Sequence, residues 1–284
     1  MRRLVTAALA ALLLAACGSA PPAPSATERE AVGQNQRAAR ALRSGRLDEA
    51  RTLYEAALRA DRSVENADGI ATNLLALARV EQSAGNVAAA EAHLDAVLNA
   101  APLALPQGRK AEAAARRALI ALDGADAARA TDWAKRADAL CTAAACSTHA
   151  AIITIGARAA LAAGDAASAL ALGRRALDTT GGTAAGAYAD DPRSERANAQ
   201  RIIGEAALAL RDATGAAQAL TEALKLDQVL GRADRVWLDL MLLAGGADLA
   251  GNREAARAYY RRALDVATAA RDDARAQAAR ARLE

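Results

Sequence analysis

The sequence predicts an all-α protein that folds as a right-handed superhelical solenoid of about six helix-turn-helix units. Apolar residues recur with helical spacing from about residue 29 to the C-terminus. Strand-like alternation is nearly absent, since aromatic residues make up 2% of the chain and Phe does not occur. A glycine-led phrase also recurs about every 40 residues. Helix pairs of this kind bury their apolar faces by stacking on their neighbours, so the six units form one solenoid.

The first residues resemble the signal peptide of a bacterial lipoprotein. A basic start precedes an apolar run from Leu4 to Leu14, and Leu14-Ala15-Ala16-Cys17 matches a lipobox. An apolar core of about 11 residues is too short to remain as a spanning helix. The resemblance implies that residues 1–16 are cleaved and that Cys17 carries a diacylglycerol and usually an amide-linked acyl chain such as palmitate, which anchors the protein to a membrane. Gly18 rather than Asp then favours the outer membrane, with the protein facing the periplasm.

A short linker separates this anchor from the helical part. Residues 17–28 contain the Pro-rich stretch 20–26, which is expected to be a semi-extended spacer. The solenoid is expected to occupy residues 29–284. A last helix over 268–284 is expected to cap it.

The repeated phrase is a turn glycine followed by an amphipathic helix. After Gly45, small or bulky apolar residues stand at Ala50, Tyr54 and Ala57, and the same offsets recur in later units. The six turn positions are Gly45, Gly85, Gly124, Gly164, Arg211 and Gly251. The unit at Gly124 is degraded, and it is expected to need a one-residue insertion before Ala130, Ala134 and Ala137.

This pattern resembles the tetratricopeptide repeat family, whose second helix carries small residues on either side of a bulky one. The family period is about 34 residues, so the longer period here is expected to lie in longer helices and links. One such link is 99–107, which contains Pro102 and Pro106. Another is the loop 179–190, expected to be a solvated insertion before a helix capped by Asp191-Pro192. Its Gly181, Gly182 and Gly186 leave a ligand loop as the alternative.

The resemblance implies a concave groove, lined by the first helix of each pair, that binds a segment of another protein. The candidate groove residues, carried over by register, are Asn35, Thr72, Arg79, Gln82, Thr154, Arg158, Asn198, Arg201 and Glu205, flanked by Leu42, Leu75, Leu161 and Leu208. Arginine side chains in this set are suited to gripping carboxylates or carbonyl groups. The clamp with which chaperone-binding members hold a C-terminal carboxylate is not matched, because Ala39 stands where an Asn is needed.

The sequence contains no motif of a hydrolase, a metalloprotease or a phosphate-binding loop, which predicts a protein that is not an enzyme and has no cofactor. His93 is expected to be a packed or surface residue. Cys141, Cys146 and His149 allow three interpretations: a zinc site, a disulfide, or two free thiols. A disulfide is favoured because lipoprotein export leads to an oxidising compartment, and it requires a turn between the two cysteines.

The expected function is that of a membrane-anchored scaffold or adaptor that binds other envelope proteins, such as outer-membrane, pilus-secretin or peptidoglycan machinery. The alternative is a small-ligand-binding lipoprotein that serves a transporter, which the low aromatic content disfavours. Nucleic acid is not an expected partner, since the formal net charge is only +3.

Overall fold

The computed structural model describes residues 25–180 and 191–284, which form thirteen α-helices and no strand. The signal segment, Cys17, most of the Pro-rich stretch and the glycines of the long loop lie outside the described residues. Among the described residues, no helix is both long and apolar enough to cross a bilayer.

Twelve of the helices form six antiparallel pairs, and the thirteenth packs on the last pair. The first member of each pair is called its A helix and the second its B helix. The pairs are α1 (Ala26–Arg43) with α2 (Leu47–Ser63), α3 (Ala67–Ser83) with α4 (Val87–Leu98), α5 (Gln107–Asp123) with α6 (Ala127–Ala144), α7 (His149–Ala162) with α8 (Ala166–Thr179), α9 (Pro192–Ala209) with α10 (Ala213–Val229), and α11 (Ala233–Leu249) with α12 (Arg253–Ala269), followed by α13 (Asp273–Arg280). The all-α repeat solenoid predicted from the sequence is confirmed.

Both ends of the solenoid differ by a few residues from the predicted boundaries. Ser25 caps α1, with its hydroxyl accepting from the Glu28 backbone N–H while the Glu28 side chain accepts from the Ser25 N–H, so the helix begins ahead of residue 29. At the other end, α12 continues to Ala269 and the chain turns at Arg271, which has a φ of 56°. The predicted helix over 268–284 is therefore the end of α12 followed by a short capping helix.

The B helices bury the residues that the repeated phrase predicts. Each residue at these three offsets is buried in all six units: Ala50, Tyr54 and Ala57; Ala90, Leu94 and Val97; Ala130, Ala134 and Ala137; Ala169, Gly173 and Ala176; Ala216, Leu220 and Ala223; and Ala256, Tyr260 and Ala263. Alanine occupies the first of these offsets in every unit and the third in every unit but the second, which has Val97 there. Such small residues let neighbouring helices approach closely.

The third unit needs no insertion, which corrects the sequence-based expectation. Each turn between an A and a B helix has one residue in the left-handed region, and in this unit the residue is Ala125, with a φ of 57°, while Gly124 has a φ of −83°. Counted from Ala125, the offsets to the buried B-helix residues equal those counted from Gly45. The prediction took Gly124 as the left-handed turn residue, but the neighbouring Ala125 has that conformation. The turn requires one left-handed residue, and that residue need not be glycine.

Replacing Ala125 by glycine should therefore stabilise the protein. Left-handed backbone costs a residue with a Cβ about 1–2 kcal/mol, partly offset by the greater entropy of glycine in the unfolded chain. We expect Ala125→Gly to raise the free energy of unfolding by up to about 1 kcal/mol in urea titrations. Ala163→Gly is the matched control, since Ala163 has a φ of −80°, and it should lower the free energy.

Three of the turns between one B helix and the next A helix are closed by a pair of residues five apart in sequence. Asn66 Nδ2 donates to Asp61 Oδ1 at 2.7 Å in the first unit, and Arg232 Nε donates to Asp227 Oδ1 at 2.7 Å in the fifth. In the third unit the equivalent residues are Cys141 and Cys146, which form a disulfide with a Cα–Cα distance of 5.2 Å. The left-handed turn residue that brings the two cysteines together is Ala145, with a φ of 49°.

Reduction of this disulfide should destabilise the protein by about 2 kcal/mol, the loop entropy expected for so short a cross-link. The measurement is urea unfolding with and without a non-thiol reductant. The Cys141→Ser and Cys146→Ser double variant is the control and should not respond to the reductant. An equal response of the native and variant proteins would contradict a stabilising bond, as would a native mass showing two free thiols.

Candidate functional site

The A helices of four successive units line one cavity of about 470 Å³, here called the A-face cavity. Its walls come from α5, α7, α9 and α11. Five of the predicted groove residues line it: Thr154, Arg158, Asn198, Arg201 and Glu205. The remaining lining residues are Leu119, Ala151, Ile155, Glu195, Ile202, Arg235 and Leu238. The sequence prediction thus placed five of the twelve lining residues together.

Leu119 was missed because of the misplaced turn in the third unit. It stands six residues before Ala125, just as Arg158 stands six before Gly164 and Glu205 six before Arg211. The correct turn residue would have placed Leu119 on this surface. Arg235 had no comparable signal, because it lies at the start of its helix, before the offsets that the family pattern covers.

The other four predicted groove residues lie on α1 and α3, away from this cavity. Asn35 Nδ2 donates to Asn73 Oδ1 at 2.8 Å, and Gln82 Nε2 donates to Asp123 Oδ2 at 2.9 Å. Arg79 is exposed and Thr72 is half-buried. None of the flanking Leu42, Leu75, Leu161 and Leu208 is exposed, so these leucines serve packing.

Arg201 is not a partner-facing residue, which corrects its predicted role. It is only 4% exposed, and its Nε donates to Asp239 Oδ1 at 2.7 Å. The guanidinium also forms an ion pair with Asp227 and donates from Nη1 to Asn198 Oδ1 at 3.1 Å. The sequence could not show this, because the two aspartates come from α10 and α11. Arg201 is therefore part of the floor of the cavity.

The same three positions form a polar cluster in the first two units. There Asn35, Asp61 and Asn73 stand at the spacing that separates Arg201, Asp227 and Asp239, and Asn73 Nδ2 donates to Asp61 Oδ2 at 2.7 Å. Each cluster ties an A helix and its own B helix to the next A helix. Asn35 and Arg201 are thus internal links between units rather than contacts for a partner.

Thr154 is also turned inward, since it is 7% exposed and its hydroxyl donates to the Ala150 carbonyl at 2.9 Å. The charged side chains that remain available in the A-face cavity are Arg158, Arg235 and Glu205. Both arginines are exposed, and Arg235 is 3.6 Å from the carboxylate of its neighbour Asp234.

Glu205 is half-buried, and burial raises the pKa of its carboxyl, an effect that the nearby arginines oppose. Within the described part of the chain its carboxylate accepts no hydrogen bond. The cavity therefore offers a partner two guanidinium groups and one carboxyl group that has no partner of its own.

The Arg201 cluster should make stability depend on pH. Burial raises the pKa of Asp239 from 3.8 to about 6, although Arg201 opposes the shift. Since the folded pKa lies above the unfolded one, this group favours folding fully below the unfolded pKa, and its contribution is lost as pH rises through about 6. We therefore expect the unfolding free energy of the native protein to fall, relative to that of Asp239→Asn, as the pH rises from 4 to 7. A constant difference would contradict this assignment.

A second cavity, of about 460 Å³, is lined by the B helices α6 and α8 and by the A helix α7. At its edge Asp138 Oδ1 lies 2.7 Å from His149 Nε2 and 2.6 Å from Arg175 Nη2. Burial acts to raise the pKa of Asp138, but Arg175 and His149 together outweigh it, so the pKa is lowered. His149 thus contacts a carboxylate rather than the cysteines with which a zinc site was considered. Among the described residues, no group of three or more His, Cys, Asp or Glu side chains is arranged to hold a metal ion.

The chain is similar to the tetratricopeptide repeat family, whose model matches residues 29–102. A comparison with the curated proteins finds no significant match. With this partial match and the observed fold, the protein is a tetratricopeptide-like all-α solenoid.

Solved structures resemble the chain at low identity. One is a signal transduction ATPase with numerous domains from Pyrococcus horikoshii, which has a tetratricopeptide repeat sensor. Its TM-score is 0.64 at 17% sequence identity, and the match covers 84% of this chain and 34% of that one. This chain therefore spans about a third of that protein. BtubC from P. vanneervenii has a TM-score of 0.60 at 17% identity, over 87% of this chain and 93% of that one. Pseudomonas aeruginosa pilF has a TM-score of 0.60 at 14% identity, and the match covers 90% of this chain and 99% of that one. These likenesses show the fold.

Proposed function

We propose that the protein is a lipid-anchored envelope scaffold whose A-face cavity binds a segment of another protein. The observation that carries the proposal is the joining of four successive A helices into one cavity with two exposed arginines and one half-buried glutamate. An extended segment crossing this surface would meet Arg158, Glu205 and Arg235 in turn. The tetratricopeptide-like fold supports this use, since stacked repeats present extended surfaces for binding.

The lipobox that ends at Cys17 supports the membrane anchor. Two or more acyl chains are needed for stable anchoring, and the expected lipidation supplies them. Labelled palmitate should be incorporated into the native protein, and Cys17→Ser should abolish the labelling and release the protein from membranes. Labelling that persists in Cys17→Ser would contradict the anchor. Sedimentation with outer-membrane vesicles rather than inner-membrane vesicles tests the proposed attachment to the outer membrane.

Site-specific photo-crosslinking tests the binding surface. A photoreactive residue in place of Arg158, in the native envelope, should give one discrete protein adduct, identified by mass spectrometry. The matched control places the probe at Arg261, which is exposed on the B helix α12. Loss of the adduct at the control position supports binding at the A-face cavity. The same diffuse adducts from both positions, or none from residue 158, would contradict it.

The volume of the cavity also fits a second function, the binding of a small ligand, since such sites usually enclose about 300–1,000 Å³. A small ligand would raise the melting temperature of the purified protein in a screen of periplasmic metabolites. Under the scaffold proposal the melting temperature should respond to a protein partner and not to metabolites.

A further inference from the structure

Two bridges join the parallel neighbouring A helices α3 and α5. At their starts, Arg109 Nε donates to Asp68 Oδ1 at 2.8 Å. Near their ends, Gln82 Nε2 donates to Asp123 Oδ2 at 2.9 Å. Both bridges join residues 41 apart in sequence, so the two helices stay in one register along their whole contact.

Arg116 lies midway between these bridges. Residues seven apart share a helix face, so Arg109, Arg116 and Asp123 form one stripe on α5. The register set by the bridges places Leu75, which is 7% exposed, opposite Arg116 on α3. Each end of the contact joins a donor to an acceptor, whereas its centre sets a guanidinium group against a leucine.

Arg116 differs in this from the other arginines that the fold covers. In the described part of the chain, seven arginines are buried or half-buried. Six of them form an ion pair with a carboxylate: Arg51, Arg109, Arg117, Arg201, Arg232 and Arg275. Arg116 has no ion pair, and its Nε is shielded from solvent without a hydrogen-bond acceptor.

The surroundings of Arg116 make this charge unfavourable. Burial, together with the positive charge of Arg79 on α3, lowers the pKa of Arg116 to about 10. Glu112, one turn earlier on α5, opposes the shift, but its ion pair is with Arg109 and not with Arg116. A buried cation without a partner costs free energy, and a second cation beside it adds to the cost. An anion placed between the two guanidinium groups would remove both costs.

We propose that Arg79 and Arg116 bind a carboxylate side chain from an acidic segment of the partner protein, an inference that rests on the proposed function. The surface itself favours a protein segment over a free anion. Leu119, one turn after Arg116 on α5, lines the A-face cavity that contains Arg158 and Arg235, and Arg79 continues this face on the neighbouring helix α3. A segment crossing this face would meet arginines from α3, α5, α7 and α11. Guanidinium groups bind carboxylates through paired hydrogen bonds, and a basic path complements an acidic segment.

A labelled acidic peptide tests this inference without knowledge of the partner. Fluorescein-labelled hexaglutamate, followed by fluorescence anisotropy at low ionic strength, should bind the purified protein. Arg116→Met and Arg79→Met should each weaken binding at least tenfold, and Arg261→Met, which removes the same charge from a B helix, should weaken it less than twofold. Arg116→Met should also melt at the same temperature as the native protein or higher, because an unpaired buried charge is removed.

Several results would overturn the inference. Equal weakening by Arg261→Met would show general charge attraction, and equal binding of hexaglutamine would show that the carboxylates do not matter. Inorganic phosphate that binds alone with the same dependence on Arg116 would identify a free anion as the ligand. An unfolded Arg116→Met protein would show that the arginine is structural.

Crosslinking in the Arg116→Met background separates this inference from the proposed function. An undiminished adduct from residue 158 would leave protein binding intact and contradict the role of Arg116. If the native protein gives no adduct, the proposed function fails, while the peptide titration still measures the anion site.

Discussion

Replacing Arg201 by alanine should lower the free energy of unfolding by about 3–5 kcal/mol, the usual cost of removing one member of a buried ion pair. Asp227 and Asp239 are both fully buried, and Arg201 lies between them. Without the guanidinium group, two buried carboxylates would face each other with only Arg232 left to pair with Asp227. The measurement is urea unfolding followed by circular dichroism at pH 7.

Arg158→Ala is the matched control, because Arg158 lines the same cavity but is exposed, and it should change stability by less than about 0.5 kcal/mol. The double variant Arg201→Asn and Asp239→Asn, which keeps Asp227, copies the first-unit cluster of Asn35, Asp61 and Asn73. It should recover part of the lost stability. Equal, small effects of Arg201→Ala and Arg158→Ala would show that Arg201 is not a structural link.

Replacing Gly204 by alanine should destabilise the protein by about 1–3 kcal/mol through overpacking. A Cβ at Gly204 would lie 2.4 Å from Leu220 Cγ and 2.7 Å from Leu220 Cδ2. Leu220 is fully buried, so its side chain has little room to move aside. The measurement is again the free energy of unfolding.

A double-variant cycle isolates the contact between these two residues. Leu220→Ala alone should cost about 2–5 kcal/mol, and in that background Gly204→Ala should cost much less than it does in the native protein. Gly245→Ala is the control, since a Cβ there meets nothing within 4 Å and a helical glycine is replaced by a better helix former. Additive effects of Gly204→Ala and Leu220→Ala would contradict the proposed clash.

The spacing of small and bulky residues predicted the repeat architecture because it reflects packing within one unit. This spacing placed Ala216, Leu220 and Ala223 in a B helix although their unit has no turn glycine. In the structure Arg211 takes the left-handed conformation at that turn, with a φ of 61°. The third unit was misread by one residue for the complementary reason. Its glycine stands beside the left-handed residue, and the sequence does not reveal which of two neighbours has a positive φ.

The candidate site was predicted less completely, because its residues depend on neighbours from other units. Arg158 and Arg201 stand at groove positions of successive A helices, yet one is exposed and the other is buried. The difference arises from Asp227 and Asp239, which lie 26 and 38 residues beyond Arg201. The sequence around Arg201 therefore does not predict its ion pairs with these two aspartates.

The sequence by itself determined the all-α class, the number of helix pairs and the buried face of each B helix, because these follow from spacings within about 15 residues. Only the tertiary structure decided which polar side chains of the A helices link units and which remain available, as the contrast between Arg201 and Arg116 shows. The physical reason is that a guanidinium group is neutralised by whatever carboxylate the neighbouring helix places within reach, and that placement is set by the stacking of the units.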